Sequence, residues 1–208
     1  MPSHSPTHAA SRDLLIDEAL PTYDVTQRRH AVVDATPDAA YDALLKLDLT
    51  RLGFWPRLLG DVRMVPETLA SSLRGEAPQA SPSTMTFADV RAQPGWMVLG
   101  ERPGDEYVIG AVGRFWRAEI EWLDVAPEAF ADFDRPGYAK LAIGLSVRPY
   151  GSDRSLVTYE ARTATTDAAS RRRFEWYWTL IGPFAGYLMG RVLATLQRQF
   201  AGRGIEGR

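Results

Sequence analysis

The end of this chain constrains its fold most strongly, because a long amphipathic helix pattern follows a strand-rich middle. Between residues 167 and 200, apolar side chains recur at three- and four-residue steps and so line one side of a helix. They are Phe174, Tyr177, Trp178, Ile181, Ala185, Leu188, Val192 and Leu196. Thr166 or Asp167 can cap the first free N–H groups. This helix must therefore pack on another surface, and the strands before it are the candidates.

Strand signals run in series through the middle of the chain. A first strand at 23–35 feeds a helix that starts at Thr36-Pro37, where proline suits the first helical position. One or two short helices are predicted within 51–73. Further strands are predicted at 84–91, 96–101, 107–123, 140–149 and 155–165. Turn residues between neighbouring strands favour an antiparallel meander, and the long loop 124–138 is expected to fold over an edge or mouth of the sheet.

Composition bounds the class of protein. With 208 residues, 45% of them hydrophobic and 24% charged, the chain fits one soluble domain with a full core. The formal charge of -2 predicts no nucleic-acid partner. The absence of cysteine excludes disulfides, thiolate metal sites and cysteine nucleophiles. His30 is the only histidine in the folded region, and no phosphate loop, zinc motif or nucleophile elbow is present, so we predict no metal and no cofactor.

The termini are expected to lie outside the folded domain. Residues 1–21 are predicted to be a flexible tail whose start lacks the charged and apolar regions of a signal peptide, which favours a cytoplasmic protein. Residues 205–208, Ile-Glu-Gly-Arg, resemble the recognition site of factor Xa, a protease used to remove purification tags. We therefore predict a single domain over 22–201 and a tail over 202–208.

The order of strand, short helices, antiparallel strands and long helix resembles the helix-grip fold. The stretches that carry the resemblance run from Val32 to Tyr41 and from Arg172 to Trp178. They are similar to the SRPBCC superfamily, which includes START lipid-transfer domains, Bet v 1 allergens and bacterial polyketide cyclase-like proteins. Over 22–201 the resemblance implies an α+β fold, a curved antiparallel sheet of six or seven strands wrapped around the C-terminal helix, with short helices after the first strand. It also implies a cavity that holds an apolar or amphipathic small molecule.

Residues 107–123 suggest one face of that cavity. If this strand is continuous, its even-numbered residues share a face that is apolar except for Arg114. Trp116 would then join the cavity wall, and Arg114 would anchor an acidic ligand head, because a buried guanidinium needs an anionic or solvent partner. A bulge or turn at Gly113 would instead reverse the parity and direct Arg114 to water, and we favour this second interpretation.

The last strand adds one polar candidate. Tyr159 alternates with Val157 and Ala161, which places its hydroxyl among inward apolar side chains. Either a ligand or a neighbouring protein group would satisfy that hydroxyl, and we favour the protein group. Glu160 and Arg162 share the opposite face of this strand, so they are expected to be solvated.

The inward side of the C-terminal helix supplies the remaining candidates. They suit a ligand wall, and they suit ordinary core packing equally well. These residues are Tyr177, Trp178, Ile181 and Leu188. Pro183 is expected to kink the helix, and glycines at 182, 186 and 190 would allow close packing on the sheet or leave room for a ligand. The uncharged stretch between Glu175 and Arg191 is too short for a bilayer, so we predict no stable membrane insertion.

Three functions are consistent with these features. The leading hypothesis is binding or carriage of a hydrophobic or amphipathic small molecule in the cavity. The second is a polyketide cyclase/dehydratase-like enzyme, in which Arg114 polarises a carbonyl and Tyr159 donates a proton. The third is a lipid-transfer protein that contacts membranes through Phe130, Phe133 and the arginines at 171–173.

Overall fold

The computed structural model describes residues 13–50, 84–117 and 119–201. The strands are β1 (Val25–Val33), β2 (Trp96–Arg102), β3 (Glu106–Arg114), β4 (Glu121–Leu123), β5 (Ala139–Pro149) and β6 (Ser155–Thr165). The α-helices are α1 (Leu15–Ala19), α2 (Pro37–Leu45) and α3 (Ala168–Ala201), and two 3₁₀ turns occupy Val90–Ala92 and Pro127–Ala129. The helices predicted within 51–73 lie outside the described residues.

The sheet is antiparallel throughout, in the order β1-β6-β5-β3-β2. β4 pairs with the end of β3, beyond the last residue that β2 contacts. The first and last strands lie side by side, with Val25 opposite Thr163 and Val33 opposite Ser155. The sheet curves around α3, which packs on what we call the inner face. The helix-grip fold with six strands and a helix after the first strand is thus confirmed.

Two of the strand predictions are wrong. Residues 84–86 have no regular structure, and 87–89 form a turn that leads into the 3₁₀ turn at Val90–Ala92. The single strand predicted at 107–123 is a hairpin, because β3 ends at Arg114 and β4 returns along it from Glu121. Gly113 lets β3 and β4 approach closely, since a β-carbon there would lie 3.0 Å from the carbonyl oxygen of Glu121.

The start of α3 is held by Asp167, which settles the capping alternative. Its Oδ1 accepts hydrogen bonds from the backbone N–H groups of Ala169 and Ser170 at 2.8 and 2.9 Å, and its Oδ2 accepts one from Gly137 at 2.6 Å. The hydrogen bonds from Ser170 and Gly137 hold the pKa of Asp167 well below its usual range. α3 then runs without interruption through Pro183, and the kink stays a prediction.

The outer face of the sheet is also covered. It is covered by residues that were predicted to belong to a flexible tail and by the loop 124–138. Ile16 and Leu20, in and beside α1, are buried there together with Val108 and Val112. Phe130 is fully buried in the same cluster, so the loop lies on the outer face and not over the cavity mouth. The packed part of the chain therefore begins before residue 22, while 1–12 and 202–208 lie outside the described residues.

A network of buried charges lies beneath α1, so the prediction that Glu160 and Arg162 are solvated is wrong. Glu160 and Arg162 are 2% and 3% exposed. Arg162 Nε lies 2.7 Å from Glu160 Oε1, its Nη2 lies 2.6 Å from Asp17 Oδ1, and its Nη1 donates to the carbonyl of Leu20 at 3.1 Å. Arg28 donates to the same Glu160 carboxylate at 2.7 and 2.8 Å. Arg162 thus ties α1 to the sheet.

Candidate ligand-binding cavity

A cavity of about 80 Å³ lies between the inner face and the part of α3 from Phe174 to Met189. The sheet side is formed mainly by Trp96, Trp122, Leu141, Ile143, Tyr159, Ala161 and Thr163, with Phe115 and Ile120 from the hairpin turn. The helix side is formed by Phe174, Tyr177, Trp178, Ile181, Ala185 and Met189. None of these lining residues is charged, so an ionised ligand group would find no counter-charge among them. The cavity therefore favours a neutral molecule.

Aromatic rings define one end of this cavity. Phe174 stacks on Trp178 with ring centroids 5.8 Å apart and planes 20° apart. The ring centroid of Trp122 lies 5.8 Å from those of both Trp96 and Phe115. Because such side chains are large and have only two rotatable bonds, they form a stiff wall against which a flat ring can pack.

Tyr159 places a hydroxyl in these apolar surroundings. The residue is 1% exposed, and its ring packs edge-on against Phe87 at 5.7 Å. Within the described part of the chain its hydroxyl has no hydrogen-bond partner, and burial alone raises the pKa of Tyr159. Thr163, also buried and also lining the cavity, presents a second hydroxyl four residues further along β6. The cavity therefore offers hydrogen-bonding groups to a ligand without offering charge.

The structure divides the candidate site residues into two groups. Four of them line the cavity together, and these are Tyr159, Tyr177, Trp178 and Ile181. Leu188 lies further along α3 in the closed core of the inner face. Trp116 packs beside the Phe115 cluster at the hairpin turn, outside the cavity lining. Binding of a ligand by any of them stays a prediction.

Arg114 does not face the cavity, and it is not directed to water either. Its Nε donates to the carbonyl of Gly137 at 2.9 Å, its Nη1 lies 3.1 Å from Glu121 Oε2, and its guanidinium lies 4.6 Å from the ring centroid of Tyr138. The even-numbered residues of β3 point to the outer face, since Val108 and Val112 pack in the outer cluster whereas the odd-numbered positions belong to the inner core. Arg114 therefore holds the β3–β4 hairpin to the loop that precedes β5.

Sequence reasoning missed most of the sheet side of the cavity. Ala161 and Thr163 could have been found, because they alternate with Tyr159 on the same face of β6. Phe115 gave no such signal, since it has an odd-numbered position and reaches the cavity only where the chain reverses between β3 and β4. Trp122 lies on the even-numbered face that the sequence assigned to the cavity, but it was not chosen as a site residue.

Other kinds of site have little support in the described residues. No group of three His, Asp or Glu side chains is placed to hold a metal ion there. His30 is exposed, and its Nδ1 lies 2.9 Å from Thr158 Oγ1. α3 is apolar and long enough to cross a bilayer by composition and length, but it is the helix that the sheet grips, with residues such as Val192 and Leu196 fully buried.

The structure thus combines a curved sheet, a long helix packed against its inner face and a cavity between the two. The chain has the helix-grip fold. No protein-family profile and no curated protein matches it. The solved structures to which it is similar include a conserved protein from Geobacillus kaustophilus, 12% identical over 86% of this chain and 96% of that one, with a TM-score of 0.38.

Two further solved structures are similar to this helix-grip chain at the same low identity. CalU16 from Micromonospora echinospora is 13% identical over 86% of this chain and 98% of its own, with a TM-score of 0.27. Truncated norcoclaurine synthase from Thalictrum flavum is 13% identical over 90% of this chain and 98% of its own, with a TM-score of 0.33. These likenesses concern the fold and carry no activity over to this chain.

Proposed function

We propose that the protein binds a small, uncharged, largely apolar molecule that has a ring and one hydrogen-bonding group. The observation that carries the proposal is the hydroxyl of the buried Tyr159 side chain. This residue lines a cavity walled by aromatic and aliphatic side chains, and its hydroxyl has no hydrogen-bond partner among the described residues. Leaving such a group unsatisfied costs about 1–3 kcal/mol. A ligand oxygen or nitrogen next to Tyr159 would recover that free energy. Carriage of this ligand within the cytoplasm is part of the same proposal.

The cavity also limits the size of the ligand. Its volume of about 80 Å³ is below that of an engineered apolar cavity of about 150 Å³ that takes up benzene. Tyr177, Trp178 and Ile181 are only half-buried, so this part of the helix side can yield to a larger molecule. The proposed ligand is therefore a compound of one or two rings, and entry is expected beside Trp178.

The cyclase-like alternative finds no support in the site. It needs Arg114 and Tyr159 to face the same substrate, and they lie on opposite faces of the sheet. A general acid also works best when its pKa is near the working pH, whereas burial raises the pKa of Tyr159. We therefore propose binding of a ligand in preference to cyclase-like chemistry by these two residues.

A titration with 2-naphthol, a neutral ring compound with one hydroxyl, tests the proposal. Wild-type protein should bind it saturably in equilibrium dialysis. Ala185→Phe fills the cavity from the helix side and should weaken binding at least about tenfold, the effect of roughly 1.4 kcal/mol. Ala201→Leu, at the exposed end of α3, is the matched control and should bind as wild type does.

Copurifying molecules give a second readout. Organic extraction of native and denatured protein, followed by mass spectrometry, should release a neutral aromatic compound from wild type and less of it from Ala185→Phe. If wild type neither binds 2-naphthol saturably nor carries an extractable compound, the cavity is ordinary core and the proposal is wrong.

A further inference from the structure

The solvent-facing side of α3 carries large apolar residues that the fold does not cover. Trp176, Leu180 and Tyr187 are 84%, 78% and 58% exposed. Their separations of four and seven residues place them on one face of the helix, and exposed Pro183 lies between them. A continuous apolar patch on a surface marks a site of interaction. We propose that this face of α3, the α3 outer stripe, docks on an anionic membrane surface.

Charge at both ends of the α3 outer stripe selects the partner. Arg172 and Arg173 precede Trp176, and Arg191 and Arg198 follow Tyr187, all four exposed. None of the four forms an ion pair within the described part of the chain.

The rest of α3 does not cancel this charge. Its one acidic residue is Glu175, which lies 3.2 Å from Arg171. The helix thus carries five arginines and one glutamate, although the whole chain has a formal charge of -2. This local excess attracts anionic headgroups in a way that the net charge of the protein does not.

The dimensions agree with a helix that lies flat in the interface. At 1.5 Å per residue, the apolar part from Trp176 to Tyr187 spans about 16 Å and the arginines extend over about 39 Å. Tryptophan and tyrosine prefer the headgroup level of a bilayer, and long arginine side chains reach the phosphates from there. A second copy of this chain would bring arginine against arginine, and a nucleic acid would leave Leu180 without an apolar partner. A lipid surface satisfies both the apolar and the charged parts.

This surface keeps the arginines near the start of α3 that the sequence suggested, and it replaces the aromatic part of that surface. Phe130 was expected to enter the bilayer, but it is fully buried on the outer face of the sheet. The docking surface lies on the same helix as the cavity and on its opposite side, because Tyr177, Ile181 and Ala185 line the cavity. The proposal does not depend on the cavity ligand.

Flotation with vesicles tests the α3 outer stripe. Wild-type protein should float with vesicles of phosphatidylcholine and phosphatidylglycerol, should float far less with phosphatidylcholine alone, and should be released by salt. Trp176→Ser with Leu180→Ser should lower the partition coefficient at least about tenfold. Arg172→Gln and Arg173→Gln should each lower it about fivefold, the effect of roughly 1 kcal/mol per charge.

The turn between β5 and β6 offers a matched control. Tyr150 is 46% exposed and lies 5.3 Å from the guanidinium of exposed Arg154. Tyr150→Ser with Arg154→Gln removes an aromatic residue and an arginine elsewhere, and should float as wild type does. All the changed residues are exposed, so each variant should keep the wild-type unfolding midpoint.

Three results would overturn the docking proposal. Wild type could fail to bind the anionic vesicles at low salt, or the control could lose as much binding as the stripe variants. Sedimentation velocity could also show that wild type is a dimer that does not bind vesicles and that Trp176→Ser dissociates it. A second copy of the chain would then be the partner. Binding of 2-naphthol by wild type would be unaffected in each case, so failure here is distinct from failure of the cavity proposal.

Discussion

At the scale of single residues, Tyr159 and Glu160 are neighbours on β6 that point to opposite faces of the sheet. Tyr159 reaches the cavity on the inner face, and Glu160 lies in the charge network under α1. Both side chains are buried, yet only Glu160 has hydrogen-bond partners in the described residues. Removing a hydrogen-bonded polar group lowers the free energy of unfolding, whereas removing an unpaired one leaves it unchanged or raises it. The two positions should therefore respond differently to isosteric substitution.

Tyr159→Phe should leave the free energy of unfolding unchanged or raise it by up to about 1 kcal/mol, since no protein hydrogen bond is lost. The same variant should bind 2-naphthol about fivefold more weakly, the effect of roughly 1 kcal/mol. Tyr41→Phe is the control, because the Tyr41 hydroxyl donates to Glu101 Oε1 at 2.9 Å and its loss should destabilise the protein by about 1–2 kcal/mol. Urea unfolding measures both, and equal costs would show that Tyr159 has a partner.

Glu160→Gln should destabilise the protein by about 3–5 kcal/mol, because it leaves the buried cation of Arg162 with less compensation. Glu119→Gln, at an exposed position, should cost less than about 0.5 kcal/mol. Denaturant unfolding at neutral pH compares them. Similar costs for the two variants would contradict a structural role for the network.

Glu160 should also contribute to acid sensitivity. Burial by itself would raise the pKa of Glu160, but hydrogen bonds and charge from Arg28 and Arg162 outweigh it, so the pKa is lowered. A carboxylate with a lowered pKa stabilises the fold above its ordinary value of about 4.3, and this contribution is lost as the pH falls through the lower folded value. Unfolding measured from pH 7 downward should therefore show a weaker pH dependence for Glu160→Gln than for wild type.

At the scale of elements, the three glycines of α3 have different surroundings despite their equal spacing. A β-carbon on Gly186 would clash with the amide of Gln27 and approach Arg29 Nη2 to 2.7 Å. A β-carbon on Gly182 would lie 3.0 Å from the indole of Trp178, whereas one on Gly190 would meet nothing within 4 Å. Only Gly186 thus allows a strand side chain to approach the helix closely.

Gly190→Ala should stabilise the protein by about 0.5–1 kcal/mol, because alanine gains helix propensity without a steric cost. Gly186→Ala should be less stable than Gly190→Ala, since Gln27 and Arg29 on β1 must move. Thermal unfolding gives the order of the two variants. A reversed order would mean that β1 does not approach α3 at Gly186.

At the scale of the whole molecule, one sheet carries two cores, one against α3 and one against α1 and the loop 124–138. Because both cores share the same strands, they should unfold together. Ile16→Ala, which removes apolar volume only from the outer core, should lower the free energy of unfolding by about 2–5 kcal/mol.

Tryptophan fluorescence makes this test specific. Of the six tryptophans in the chain, Trp96, Trp122 and Trp178 line the inner-face cavity, so their part of the fluorescence reports on the core that Ile16 does not touch. Their unfolding transition and the circular dichroism transition should move to lower urea together in Ile16→Ala. A fluorescence midpoint that stays at the wild-type value would show that the two cores are independent.

Local chemistry in the sequence was enough to predict the elements that define the helix grip. The helical spacing of apolar residues predicted α3. A segment of alternating apolar and polar residues, bounded by turn residues, predicted β6 with its observed bounds, 155–165. Tyr159, Tyr177, Trp178 and Ile181 were found for the same reason, because period places a side chain on the inward face of its own element.

The tertiary structure alone decided what each sheet face meets. The same apolar run fits a continuous strand or a hairpin. A continuous strand would place Arg114 and Trp122 on one face, whereas the pairing of β4 with β3 turns Arg114 away from the cavity and leaves Trp122 lining it. Glu160 and Arg162 alternate as solvated residues would, yet α1 buries them. Periodicity assigns a residue to a face, whereas burial depends on which distant segment covers that face, and no local pattern contains that information.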